Sequence, residues 1–150
     1  MRRNSLTLVL LVLLSTSLLL EAHSFSAFFD SSQTFSVTGT IVRVDWVKPN
    51  VFIHVRVDDA TTGKTDTWAF ETLPPNPLVG AYHVTRDMFR EGDKITVLGW
   101  KAKAGANWKE AIADAELAAR VIAEKAAYAA QFEFVDGKKV AVVQQVPVLR

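Results

Sequence analysis

The segment Val51-Phe52-Ile53-His54-Val55-Arg56-Val57-Asp58 narrows the choice of fold more than any other part of this chain. Its aliphatic residues recur at every second position, which is the period of a strand and does not fit the 3.6-residue period of a helix. Val51, Ile53, Val55 and Val57 therefore form one face, and Phe52, His54 and Arg56 form the other. A strand with such a face must lay it against further strands or a helix, so the neighbouring segments decide the architecture.

Upstream, Val37 to Trp46 is rich in β-branched residues, with Val42, Val44 and Trp46 on one face and Gly39 marking a bend near its start. Lys48-Pro49-Asn50 is a turn. Downstream, Asp59 to Lys64 reads as a hairpin connection. Thr65 to Leu73 reads as a third strand, with Trp68 and Phe70 on one side and Thr67, Ala69 and Glu71 on the other. Pro74-Pro75-Asn76-Pro77 stops that strand, and Asn76 is placed to cap a short helix that Pro77 starts and that Leu78 to Tyr82 continues. A helical turn at Thr85 to Phe89 and the turn Arg90-Glu91-Gly92-Asp93 lead into a fourth strand, Lys94 to Trp100.

Beyond a loop, Trp108 to Ala130 is alanine-rich and free of glycine and proline, the composition of a helix. Trp108, Ile112 and Ile122 fall on its apolar stripe and are expected to contact the strands, while Glu116, Arg120 and Glu124 form an i,i+4 ladder on the opposite side. Phe132 to Val135 and Lys139 to Val143 flank Asp136-Gly137-Lys138, a hairpin signal. The expected fold is mainly β: a small antiparallel barrel of the oligonucleotide and oligosaccharide binding (OB) type. It carries a short helix between strands 3 and 4 and a longer alanine-rich helix near 108–130.

The start of the chain sets the expected compartment. Met1-Arg2-Arg3-Asn4-Ser5 is followed by an uncharged run from Leu6 to Leu20 and then by Glu21-Ala22-His23. A basic start, an apolar core and a small residue at the cleavage point are the parts of a secretory signal. Residues 1–22 are expected to be removed, leaving 23–150 as one domain in the periplasm or outside the cell. The apolar run falls short of the roughly 20 residues of a helical span, so no stable membrane insertion is expected once the chain is processed.

Without Arg2, Arg3 and Glu21, the 17 basic and 16 acidic residues become 15 and 15. A near-neutral body lacks the basic excess that nucleic-acid binders use, so no nucleic-acid partner is expected. The chain has no cysteine, which excludes disulfides, thiolate metal sites and thiol chemistry.

Two kinds of site are compatible with the residues. In the first, Trp46, Phe52 and Trp68 offer aromatic surface, with Asn50, Arg56 and Glu71 as polar partners, for an unknown small molecule, glycan or protein. In the second, cleavage after Ala22 exposes the α-amine and imidazole of His23. Those nitrogens, joined by His54 or His83, suit Cu(II). Aside from that alternative, no cofactor is assigned. On its strand, His54 faces away from the aliphatic side and is expected to be half-exposed. No metal-hydrolase, serine-hydrolase or phosphate-loop motif is present, so the reading favours a non-enzymatic binding or accessory module.

The stretch His23-Ser24-Phe25-Ser26-Ala27-Phe28-Phe29-Asp30, with Val37-Thr38-Gly39-Thr40-Ile41, Val44-Asp45-Trp46, Lys48-Pro49-Asn50-Val51, Trp68, Glu71, Pro75-Asn76, Thr85-Arg86-Asp87 and Glu91-Gly92-Asp93-Lys94-Ile95-Thr96-Val97, resembles a family of small exported bacterial proteins of unknown function. The resemblance covers about residues 22–101 and returns near Asp136-Gly137. Members commonly carry a second histidine where this chain has Ser24, and a histidine where it has Asn50. Relative to them, the alanine-rich segment reads as an insertion and a specialised docking surface.

Overall fold

The computed structural model describes residues 25–149. A helical turn at 25–28 leads into β1 (Phe29–Asp45), followed by β2 (Phe52–Asp58) and β3 (Thr65–Glu71). Helix α1 (Pro75–Tyr82) and a 3₁₀ turn (Arg86–Met88) connect to β4 (Lys94–Ala102). Two short helices, α2 (Trp108–Ala111) and α3 (Ala115–Ala123), precede β5 (Lys125–Glu133) and β6 (Lys139–Ala141).

β1, β2 and β3 form the expected antiparallel meander. β1 also pairs with β4, β4 with β5, and β5 runs parallel to β3, which closes a five-stranded barrel of the OB type. The closing pair makes the barrel mixed rather than wholly antiparallel. Long β1 serves both neighbours: Thr34 to Thr40 lies against β4, and Thr40 to Asp45 lies against β2. The change of partner comes beside Gly39, where a Cβ would collide with the Arg56 carbonyl, so the close crossing needs glycine.

The barrel interior is aliphatic and aromatic. Val51, Ile53 and Val55 meet Ile41, Phe70, Ile95, Val97 and Phe132, and all are buried. α1 plugs one end of this core through Leu78. Pro74 rather than Asn76 occupies its N-cap position, with no side-chain cap, because the helix starts two residues earlier than the proline pattern indicated.

A second core lies outside the barrel. Phe52 and Ala69, on the outward faces of β2 and β3, pack with Phe29, Trp108, Ile112, Leu117, Ala118 and Val121. The aromatic members are in contact: Phe28 and Phe29 lie 5.0 and 5.8 Å from Trp108 between ring centroids, and Phe29 lies 5.3 Å from Tyr128. Connection β4–β5 thus folds back as a cover over the strands.

That cover corrects the expected helix over 108–130. Helical structure is found there in two pieces, and residues from Lys125 onward are strand. Ile112 is extended, and Asp114 caps α3 by accepting hydrogen bonds from Glu116 and Leu117 N–H, which starts a new helix. Alanine favours helices, but β5 lies between β3 and β4 with both faces packed, and small side chains fit there. Ala127 and Ala129 point into the barrel, while Ala126 and Tyr128 join the outer core. Trp108 and Ile112 contact the strands as expected. Ile122 is 47% exposed, and Leu117, Ala118 and Val121 make the contact instead. The hairpin around Asp136-Gly137-Lys138 is present as β5–β6, with Gly137 at φ 83°.

Candidate functional site

His54 is completely buried, which corrects the expectation of a half-exposed strand residue. It does face away from the barrel interior, but α3 covers it. Its Nδ1 lies 2.5 Å from Glu124 Oε2 and its Nε2 lies 2.8 Å from Asp45 Oδ2. Ionised carboxylates only accept hydrogen bonds, so the ring satisfies both when each nitrogen carries a proton. Arg43 lies against Asp45 at 2.9 Å, and Arg120 reaches Asp45 at 3.4 Å and Glu116 at 2.9 Å. Burial pushes the Asp45 carboxyl up, but the Arg43 hydrogen bond and the charge of His54 outweigh it and hold the group below the usual carboxylate range. Glu124, the residue that ends α3, thus turns inward to clamp the cover onto β2 instead of continuing the solvent ladder.

Beside this clamp, the β1–β2 loop and the α2–α3 segment enclose a cleft of about 320 Å³. One wall is Val47 to Asn50, the other is Trp108 and Ala111 to Asp114 with Leu117, and Phe52 and Glu71 form the floor. Asn50 Nδ2 donates to Glu71 Oε1. That bond leaves the second Glu71 oxygen and the Asn50 carbonyl for other partners. Glu71 is half-buried by surface, but desolvation pushes its carboxyl up to about 7, and the Asn50 bond only partly opposes this. Asp114 lies at the rim, with Oδ1 committed to the α3 cap.

Of the six residues expected to bind a ligand, the cleft unites Asn50, Phe52 and Glu71. Trp46 packs instead near Phe89, 6.4 Å between ring centroids, against the barrel core. Trp68 stacks on Phe70 and lies tilted against Phe35, with the Lys125 ammonium 5.6 Å from its ring. Arg56 is exposed on the far part of β2. Trp108, Ile112 and Leu117 complete the cleft. Trp108 and Ile112 stood on the expected apolar stripe of the alanine-rich segment and Leu117 did not, and the surface they would meet could not be read from it.

Of the copper candidates, only His54 and His83 fall among the described residues. His23 lies outside the described residues. Both ring nitrogens of His54 are engaged by carboxylates, so this arrangement leaves it no lone pair for a metal. His83 is exposed at the left-handed end of α1. Among the described residues, no group of three or more His, Asp or Glu side chains is placed to hold a metal ion. No helix among them is long and apolar enough to cross a membrane.

Residues 11–110 match the model of a family of unknown function, DUF6152, and the chain belongs to that family. The matched stretch includes β1 to β4 and ends within α2, so Arg120 and Glu124 of the clamp lie beyond it. No protein of curated function matches the chain.

Proposed function

We propose that this protein is an exported, non-enzymatic binding module, acting in the periplasm or outside the cell, that holds a small molecule in the cleft between the β1–β2 loop and the α2–α3 segment. The observation that carries this reading is the Asn50–Glu71 pair at the floor of an otherwise apolar cleft. Pockets that orient small ligands combine mostly apolar walls with a few polar groups in this way. Barrels of the OB type take ligands beside strands 2 and 3, between the loops joining strands 1–2 and 4–5. The cleft occupies that position. Its volume, about 320 Å³, is at the small end of the range for ligand pockets, which favours a small molecule over a glycan chain or a protein surface.

A fragment screen by thermal shift and tryptophan fluorescence tests the site. Hits should be lost in Ala111→Trp, whose indole would fill the cleft from an exposed helix position. Hits indifferent to that substitution would place binding elsewhere. Export is tested by sequencing the N-terminus of protein recovered from its native compartment. A chain starting at His23 is expected, and an unprocessed cytoplasmic chain would overturn the assignment.

A further inference from the structure

Resting on the cleft reading, we infer that the ligand is a small organic ammonium with an apolar tail, its head set against Glu71 and Asn50 and its tail along Phe52 and Trp108. Glu71 is half-buried and desolvated, yet among the described residues no Lys, Arg or His forms an ion pair with it. A desolvated carboxylate without a counter-charge is costly, and a ligand cation supplies the missing charge. The direction of the Asn50 bond fits this role. With the amide N–H₂ turned to Glu71 Oε1, the groups left over are Oε2, an acceptor once the carboxyl ionises, and the Asn50 carbonyl, and both can then accept from an N–H donor. Phe52 and Trp108, whose rings stand 6.5 Å apart at 76°, add aromatic surface that attracts cations.

Other charged or titratable groups around Glu71 are few. Lys48 is exposed at the mouth, and Asp114 lies at the rim with one oxygen in the α3 cap. Tyr128 stands beside Glu71 in the β3–β5 ladder, its phenol pushed up by burial and by the neighbouring carboxyl, so it remains neutral. An anionic ligand would meet only Lys48 in its favour. A cation meets Glu71 directly, with Asp114 at the entrance.

Calorimetric titration of the purified protein with phenethylammonium, 2-phenylethanol and phenylacetate separates charge from shape. Phenethylammonium should bind at least about tenfold more tightly than its neutral and anionic analogues, and Glu71→Gln should weaken it by roughly thirtyfold or more while weakening 2-phenylethanol several-fold less. Binding should also release a proton, with affinity falling as pH drops from about 8 to about 6, because the protonated carboxyl must ionise to hold the cation. If the alcohol binds as tightly as the ammonium and Ala111→Trp blocks both, the cation inference falls and the cleft stands. If none of the three binds, the inference also falls, and plug-sensitive hits from the fragment screen decide whether the cleft falls with it.

Discussion

On the inward face of β2, Val51, Ile53 and Val55 bury themselves against Phe70, Ile95 and Phe132, and nothing but shape and area holds them there. On its outward face, Phe52 meets Trp108 across the aromatic cluster, and His54 is gripped between Asp45 and Glu124. The same strand thus buries both sides by different chemistry. The inner core comes from removing aliphatic surface from water and tolerates conservative change, since its free energy is spread over many contacts. The outer core adds one buried imidazole between two acids, and loss of that ring takes the donor from Glu124 and leaves Asp45 to Arg43 and Arg120. The cover that builds one wall of the cleft is therefore tied to the barrel by a small polar cluster, His54 and Arg120 meeting Asp45 and Glu124, set beside its apolar contacts.

The largest break in this comparison is expected from His54→Ala. Removing one partner of a buried charge cluster costs about 3–5 kcal/mol. Urea denaturation should show that loss, and hydrogen exchange should show faster opening of the α3 amides at Leu117 to Val121. A loss within about 1 kcal/mol would mean that the aromatic cluster alone holds the cover. Glu71→Gln is the next in size and sharpens the contrast through pH. The folded-state carboxyl is raised from 4.5 to about 7, so protonation favours the fold. The associated stability is complete below about pH 4.5 and is lost as pH rises through about 7. Glu71→Gln should match the parent protein near about pH 4 and exceed it by about 2–3 kcal/mol near about pH 8. If the two stability profiles run parallel, Glu71 is not desolvated. Ile53→Val, on the inner face, should cost only about 1 kcal/mol, independent of pH and without loosening α3.

The inner core was legible in the sequence because a period of two states both the strand and its buried side. The alternation in β2 put Ile53 and Val55 on one aliphatic face, that in β3 put Trp68 and Phe70 on one side, and the proline-rich and Asp-Gly turns marked strand ends. Less was legible outside the barrel. Lys125 to Ala130 carries the composition of a helix, and only its place between two strands makes it a strand. The polar alternation of β2 assigned His54 to water because sequence shows which residues share a face and not what covers it. One local signal was available: the outward positions change from Phe52 and His54 to charged Arg56, which marks where the cover ends. Three of the residues that line the cleft, Asn50, Phe52 and Glu71, were among the candidates named from the sequence, and Asn50 and Glu71 flank turns on adjacent strands. The wall contributed by α2 and α3 depended on a fold-back that periodicity does not encode.

Thr72 provides the smallest test. It continues the line of Trp68 and Phe70, is 1% exposed, and its Oγ1 is the one buried side-chain polar atom among the described residues without a hydrogen-bond partner. His54 is equally buried and has every polar atom answered. If the barrel interior works by shape and area alone, its unanswered hydroxyl is a pure penalty, and an isosteric methyl should relieve it. Thr72→Val is then expected to stabilise the protein by about 1 kcal/mol in urea denaturation, the scale of one unsatisfied buried hydroxyl. Destabilisation would show that the hydroxyl has a partner such as a bound water. The inner core would then also contain a polar anchor, and the division between the two faces of the sheet would be one of degree.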